Sequence, residues 1–263
     1  VQFDDAEYVT FRNLTFTATG SSYGRVFDFL DGSQHITIDS NIINGLSVVT
    51  TSSNSAVIYS YSGTDNNNTT ITNNTINNGS YGIYINGTSE TVLEQNVVIS
   101  NNAIHDFHCY GIRLHYFDSI QVSSNEIYAK TTGGNSTQYG ICAYYNDNGS
   151  SFSKNKIRVY ASSSNYGMYF YYCDGSSGNE NLLINNFISC HSSSTNSYGV
   201  YTYYGSYFKF YHNSVNVTDG NSSNGRALYV YYSSYFELLN NIFANTKTSG
   251  GYAIYTQSSS SIA

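Results

Sequence analysis

The chain has 263 residues, of which only 10% are charged, and a formal net charge of −7. Its 10 Lys and Arg are scattered without forming a basic stripe, so a phosphate-backbone partner is not expected and nucleic acid drops out as a ligand. No apolar run approaches the length of a membrane span, no charged segment followed by an apolar one opens the chain, and the 29 Tyr and 14 Phe are too many for a disordered polymer.

Taken in order, the chain is a repeat. VTFRNLTF (9–16) comes first and places Leu14 where later copies of the pattern carry Asn, which marks an end coil or a truncation. GRVFDFL (24–30) then opens a motif that returns as SAVIYSY (55–61), SYGIYIN (80–86), CYGIRLHY (109–116) and QYGICAYY (138–145). It continues as NYGMYFYY (165–172), SYGVYTYY (197–204), GRALYVYY (225–232) and GYAIYTQ (251–257). Aligned on Val26, Val57, Gly82, Gly111, Gly140, Gly167, Gly199, Ala227 and Ala253, successive copies lie 25 to 32 residues apart. The next position is apolar in every copy, from Phe27 through Ile112 to Ile254, and the position two further on is mostly apolar or small. Alternation of period two predicts a strand, with these two columns facing a core and the intervening residues facing out.

Between the copies runs a second pattern, h-x-h-x-x-N-x-h, as in Phe208, Phe210, Asn213 and Val215. Its Asn column reads Asn41, Asn74, Asn102, Asn125, Asn155, Asn186, Asn213 and Asn241. Asn tolerates left-handed backbone, and stacked carboxamides can bond from coil to coil, so the column is expected to be a ladder at a tight bend. Polar segments such as 132–137, 162–165 and 218–224 absorb the scatter in the period and are predicted to be loops. Helical repeats would need apolar spacings of three and four, which are absent among these Gly, Asn, β-branched and aromatic residues.

Two or three short strands per turn of about 28 residues, in register from copy to copy, predict a solenoid whose coils pair in parallel. At about 4.8 Å per coil, nine coils make a rod of about 43 Å. These columns resemble the right-handed parallel β-helix proteins, the pectin-lyase-like superfamily with its N-x-I coil signature, over nearly the whole chain. The resemblance implies an all-β, right-handed parallel β-helix, in one domain over 1–263 read as a segment of a longer protein. It is specific for fold and says little of function, because lyases, hydrolases, phage tailspikes and bacterial adhesins share it.

Two groups of residues carry functional expectations. The outward positions predict a two-wide, three-tall aromatic sheet of Tyr169, Tyr171, Tyr201, Tyr203, Tyr229 and Tyr231, either a self-packing ladder or a binding face for sugar rings or a protein. In AIHDFHCYGIRLHYFDS (103–119), Arg113 and His115 interrupt that face and Asp118 closes the strand, with Asp147 and Asp174 in its place in the next two coils. Three stacked carboxylates call for a cation such as Ca²⁺, a nearby Arg, or raised pKa values. His105, Asp106 and His108 are read as a loop just before. In the lyases of the superfamily a basic residue abstracts a proton beside a uronate while a cation or Arg neutralises the carboxylate; Arg113 or His115 with Asp118 and Asp147 can be cast in those roles. The superfamily's paired-Asp, Gly-His-Gly and Arg-x-Lys set is missing, and so is the lyases' cluster of Arg and Lys, which leaves ordinary turn aspartates as the plainer reading.

The sequence therefore points to an extracellular or cell-surface β-helix segment, structural or adhesive, with the Tyr face as the contact for a glycan or a neighbouring protein chain. Self-association into a fibre is compatible with it, and a polysaccharide lyase or glycoside hydrolase is the alternative. No cofactor is expected beyond Ca²⁺ at Asp118, Asp147 and Asp174. Cys109, Cys142, Cys173 and Cys190 occupy different places in the repeat and are expected to be free, partly buried thiols.

Overall fold

A computed structural model of the chain describes residues 1–131, 137–192, 196–218, 224–247 and 250–257. The expected loops at 132–137 and 218–224 fall almost wholly outside these residues.

Each coil contributes one strand to each of three parallel sheets, the first with ten strands and the others with nine each. Every strand pairs with its counterpart one coil away, so a backbone N–H finds its acceptor about 22 to 34 residues distant, as when Thr70 N bonds to the Ile36 carbonyl at 2.8 Å. The repeating motif forms the first sheet, from Phe27–Phe29 to Tyr252–Gln257, and Gln2–Phe3 adds a strand ahead of the first copy. The h-x-h part of the second pattern forms the second sheet, and the residues after each Asn form the third. One 3-10 turn, Ser53–Ser55, is the only helical element among the described residues, and none is long and apolar enough to cross a membrane.

The predicted core columns are interior except at the last coil, where Ile254 is 42% exposed because no described coil covers it. Phe27, Phe29, Ile83, Ile112, Leu114, Met168 and Phe170 are fully buried, joined by Ile104, Ile127, Phe152, Phe208 and Phe210 from the other sheets. Where the first and third sheets meet, the coils from Gly82 to Gly199 leave no room for a side chain. A methyl on Gly167 would lie 2.5 Å from the Gly199 carbonyl oxygen and run into Ile188.

The Asn column is a continuous buried ladder. The Oδ1 of Asn125 accepts from both the backbone N–H and the Nδ2 of Asn102 at 3.0 Å, while its own Nδ2 donates to the Ile99 carbonyl at 2.9 Å. The same three bonds recur from Asn41 to Asn213. The expected left-handed Asn is corrected by one position. The residue before each ladder Asn takes it, Ser40, Asn73, Asn101, Ser124, Lys154, Asn185, His212 and Asn240, all with φ of 55 to 58°. This kink turns the following carboxamide inward, and Lys154 and His212 accept it because the buried bonds offset a cost of about 1–2 kcal/mol.

Three further expectations are corrected. The segment read as a loop with His105 and Asp106 is a strand of the third sheet, Ala103–Phe107, with Asp106 at φ 59°. Not every intervening residue of the first sheet faces water: Cys142 is wholly buried and Asp28, Asn86 and Tyr229 nearly so; Arg113 and Tyr169 flank Cys142 in register, and Tyr23 and Arg25 of its own coil bond to Asp28. The four cysteines are free but fully, not partly, buried.

Candidate functional site

Register holds along the first sheet. Tyr169 pairs with Tyr201 and then Tyr229, and Tyr171 with Tyr203 and then Tyr231. The rings of Tyr171, Tyr203 and Tyr231 stack at 5.1 and 4.9 Å, nearly parallel. In the neighbouring column Tyr201 and Tyr229 stack at 4.5 Å while Tyr169 meets Tyr201 edge-on.

The face is wider than the sequence reading allowed. A third column stands on the residue before the Gly of each strand: Tyr81, Tyr110, Tyr139 and Tyr166 stack at 4.9, 4.6 and 4.6 Å, and Tyr198 follows at 5.1 Å. A fourth runs Tyr116, Tyr145, Tyr172, Tyr204 and Tyr232, with spacings of 5.1 to 5.6 Å. All five of its members have positive φ, between 46 and 69°. A left-handed residue breaks the two-residue alternation, so two adjacent tyrosines share the outer face and the next residue, Phe117, Asn146 or Cys173, turns into the core. The doubled YY at the end of four copies, 144–145, 171–172, 203–204 and 231–232, was the available signal, because strict alternation cannot place both rings outside. The outermost rings, Tyr204 and Tyr232, are more than a third exposed, and most others are half-buried by each other.

Three arginines lie over this face as cation–π partners. Arg25 sits 3.7 Å from the Tyr59 centroid, Arg113 4.7 Å from Tyr84, and Arg226 4.5 Å from Tyr255. Burial pushes the Tyr166 phenol up to about 12, and the covered Cys142 thiol likewise to about 12.

Of the residues cast for catalysis, the structure brings together Arg113 with His115, and Asp118 with Asp147. Arg113 Nε donates to His115 Nε2 at 3.0 Å. Burial, and then the guanidinium, push the His115 pKa down to about 3, so its neutral ring spends its lone pair on Arg113 and has none free to take a proton from a substrate. Among the described residues no hydrogen bond or ion pair joins this pair to the acids; the left-handed Tyr116 lies between. Asp118 pairs in register with Asp147. The Asp147 carboxylate accepts from the Asp174 backbone N–H at 2.7 Å, and the Asp174 carboxylate accepts from Ser206 Oγ at 2.6 Å. Burial, with Asp174 and Asp118 beside it, raises Asp147 to about 6, which is the relief visible for the stacked acids. Among the described residues no group of three or more His, Cys, Asp or Glu is arranged to hold a metal ion.

Sequence reading missed Glu94, which lies beside this corner. It is 1% exposed, its carboxylate accepts from the Asn66 backbone N–H and from Thr88 Oγ1 at 2.8 Å, and burial pushes its pKa up to about 7. Nothing in GTSETVLEQN (87–96) marks Glu94, the fifth of its polar side chains, as the buried one.

A family model described as a right handed beta helix region matches residues 1–165. The chain belongs to the right-handed β-helix family. No curated protein matches this β-helix. Among solved structures it is similar to PfbA, a surface adhesin of Streptococcus pneumoniae, at 13% identity over 97% of this chain and 72% of that one, with a TM-score of 0.49. It is also similar to a double mutant of the periplasmic alginate epimerase AlgG, at 14% identity over 98% and 68% of the two chains and a TM-score of 0.47. A GH87 alpha-1,3-glucanase catalytic domain follows at 10% identity over 98% and 62%, with a TM-score of 0.33. At these values the likeness concerns chain path alone.

Proposed function

We propose that this β-helix is an extracellular rod, structural or adhesive, whose tyrosine face is the contact surface for a glycan or a neighbouring protein chain, a further copy included. The observation that carries the reading is the four-column array of rings in register on one sheet. Rings already packed against one another lose little rotamer freedom on binding, and each offers an apolar body with a hydroxyl at its rim. Such a surface suits sugar rings, and it equally suits an aromatic protein interface. Low charge and abundant Asn, Ser, Thr and Gly support the extracellular setting.

The reading is tested by retention on immobilised polysaccharides and on immobilised copies of the protein. Tyr201→Ala with Tyr203→Ala loses retention while the fold stays intact; retention unchanged in that variant contradicts the proposal.

A second reading, a polysaccharide lyase or glycoside hydrolase, draws support from the raised pKa values of Asp147 and Glu94, because carboxyls poised near neutrality suit proton transfer. Its test is turnover on a polysaccharide panel with and without chelator. Cleavage abolished by Asp147→Asn would establish an enzyme, and a Ca²⁺ at Asp118, Asp147 and Asp174 would show as chelator sensitivity.

A further inference from the structure

The third sheet has an outer face of its own, where the outward columns are mostly small or polar, as at Asn44, Asn77, Ser214 and Asn216. They change character over two coils. Lys156 pairs with Phe187, Arg158 with Ser189, and Tyr160 with His191. A cleft of about 490 Å³ opens there between Tyr128, Lys156, Arg158, Phe187, Ser189 and His191, a size that suits a small ligand. Ser189 gives the cleft its depth, being the small residue in a row of long ones.

Two features of the cleft lack a structural reason. Phe187 is 60% exposed, the only phenylalanine among the described residues with most of its surface in water, and it has no polar atom to favour that position. Lys156 and Arg158 make no ion pair among the described residues, although the chain carries a net charge of −7. Glu126 lies opposite Lys156 in register, but its carboxylate is turned towards His105, 3.7 Å away. The Arg158 guanidinium is held 4.8 Å above the Tyr160 ring, and Tyr160 in turn stacks on His191 at 5.0 Å. A stacked guanidinium keeps its planar fork of donors free for an anion.

We propose that this cleft is a separate binding site for an anionic sugar, its ring packed on Phe187 and its carboxylate or sulfate held between Lys156 and Arg158. The site stands on a different sheet from the tyrosine face and does not depend on that face having a ligand. Carboxylate and sulfate share the chemistry the cleft recognises, a planar or tetrahedral oxyanion carried on an apolar-faced ring.

Calorimetric titration of the full chain tests it with four probes: a cello-oligosaccharide, its C6-carboxylated form, its sulfated form, and inorganic sulfate. At least one anionic oligosaccharide binds roughly tenfold or more tighter than the neutral one, and Arg158→Ala removes that margin. Phe187→Ala weakens the same probe several-fold, whereas Tyr201→Ala with Tyr203→Ala leaves it within about twofold. Which anionic probe binds identifies the group as uronate or sulfate. Equal binding of neutral and anionic forms, inorganic sulfate binding as tightly as the sulfated sugar, no binding at all, or an unaffected Arg158→Ala each overturns the proposal. All the replaced side chains in the cleft are at the surface, and an unchanged thermal midpoint confirms that each variant is folded.

Discussion

Arg113 Nε donates to His115 Nε2 at 3.0 Å, and the two side chains satisfy each other inside a ring of tyrosines. The guanidinium lies within 5.5 Å of the Tyr84, Tyr110 and Tyr144 centroids, and His115 packs at a tilt against Tyr144, 4.6 Å between ring centres. Arg113 therefore fills a tyrosine's place as a cation–π partner, as Arg25 and Arg226 do further along the same face. Replacing Arg113 with Met is expected to cost about 1–2 kcal/mol of stability by denaturant unfolding. In the same variant the NMR-measured pKa of His115 rises from about 3 yet stays below 6.5, because burial is the larger cause. A His115 that titrates normally in the native protein contradicts the arrangement.

Glu94 makes stability depend on pH. Its folded pKa of about 7 exceeds the ordinary 4.5, so between those values the folded state binds more protons than the unfolded one. Its contribution is fully present below 4.5 and is lost as pH rises through 7. Glu94→Gln, permanently uncharged, should match the native protein at pH 4 and exceed it by about 3 kcal/mol at pH 8. Asp147, raised to about 6, acts in the same sense. His115, depressed, acts oppositely: its contribution is present above about 6.5 and lost as pH falls towards 3. Parallel curves for Glu94→Gln and the native protein would contradict the buried-carboxyl account.

The Asn ladder predicts a graded series. Asn125→Ala strands the Asn102 N–H, the Asn102 carboxamide and the Ile99 carbonyl inside the helix. Three such orphans cost about 3 kcal/mol or more. Asn241→Ala, at the partly buried last rung, costs about 1 kcal/mol. Equal losses at the two positions in urea unfolding would show that the rungs do not act through burial.

All four thiols are buried and none is paired, and burial pushes Cys109 up to about 11 and Cys142 and Cys190 up to about 12. A thiol reagent should find no reactive cysteine in the folded protein and 4 after denaturation. Rapid modification of the native protein would place at least one of them at the surface.

The fold was legible because its signals are columns. Phe27, Ile112 and Ile254 mark one core position and Asn41 to Asn241 mark one corner, and parallel pairing makes each copy corroborate the next. The candidate site was legible only where strict alternation holds. Tyr201 and Tyr203 follow from it, while Tyr204 and Tyr172 depend on a left-handed backbone that turns an inward position outward. Cys142 and Glu94 escaped for a related reason: what covers them comes from adjacent coils, so local pattern carries no trace of their burial. Arg113 and His115 drew attention as a break in the aromatic columns, and the break closes on itself.

The outermost tyrosine column gives the most direct measurement of whether this face makes contacts. Tyr172, Tyr204 and Tyr232 hold left-handed backbone that Asn adopts more readily, so replacing all three with Asn offsets part of the lost ring stacking and should leave the protein folded, with thermal stability the same or slightly lower. Quantitative retention on immobilised glycan and on immobilised copies of the protein should fall at least roughly tenfold in that variant, on whichever surface holds the native protein. Retention within about twofold of the native protein, with the fold intact, would contradict the proposal that the tyrosine face is the contact surface.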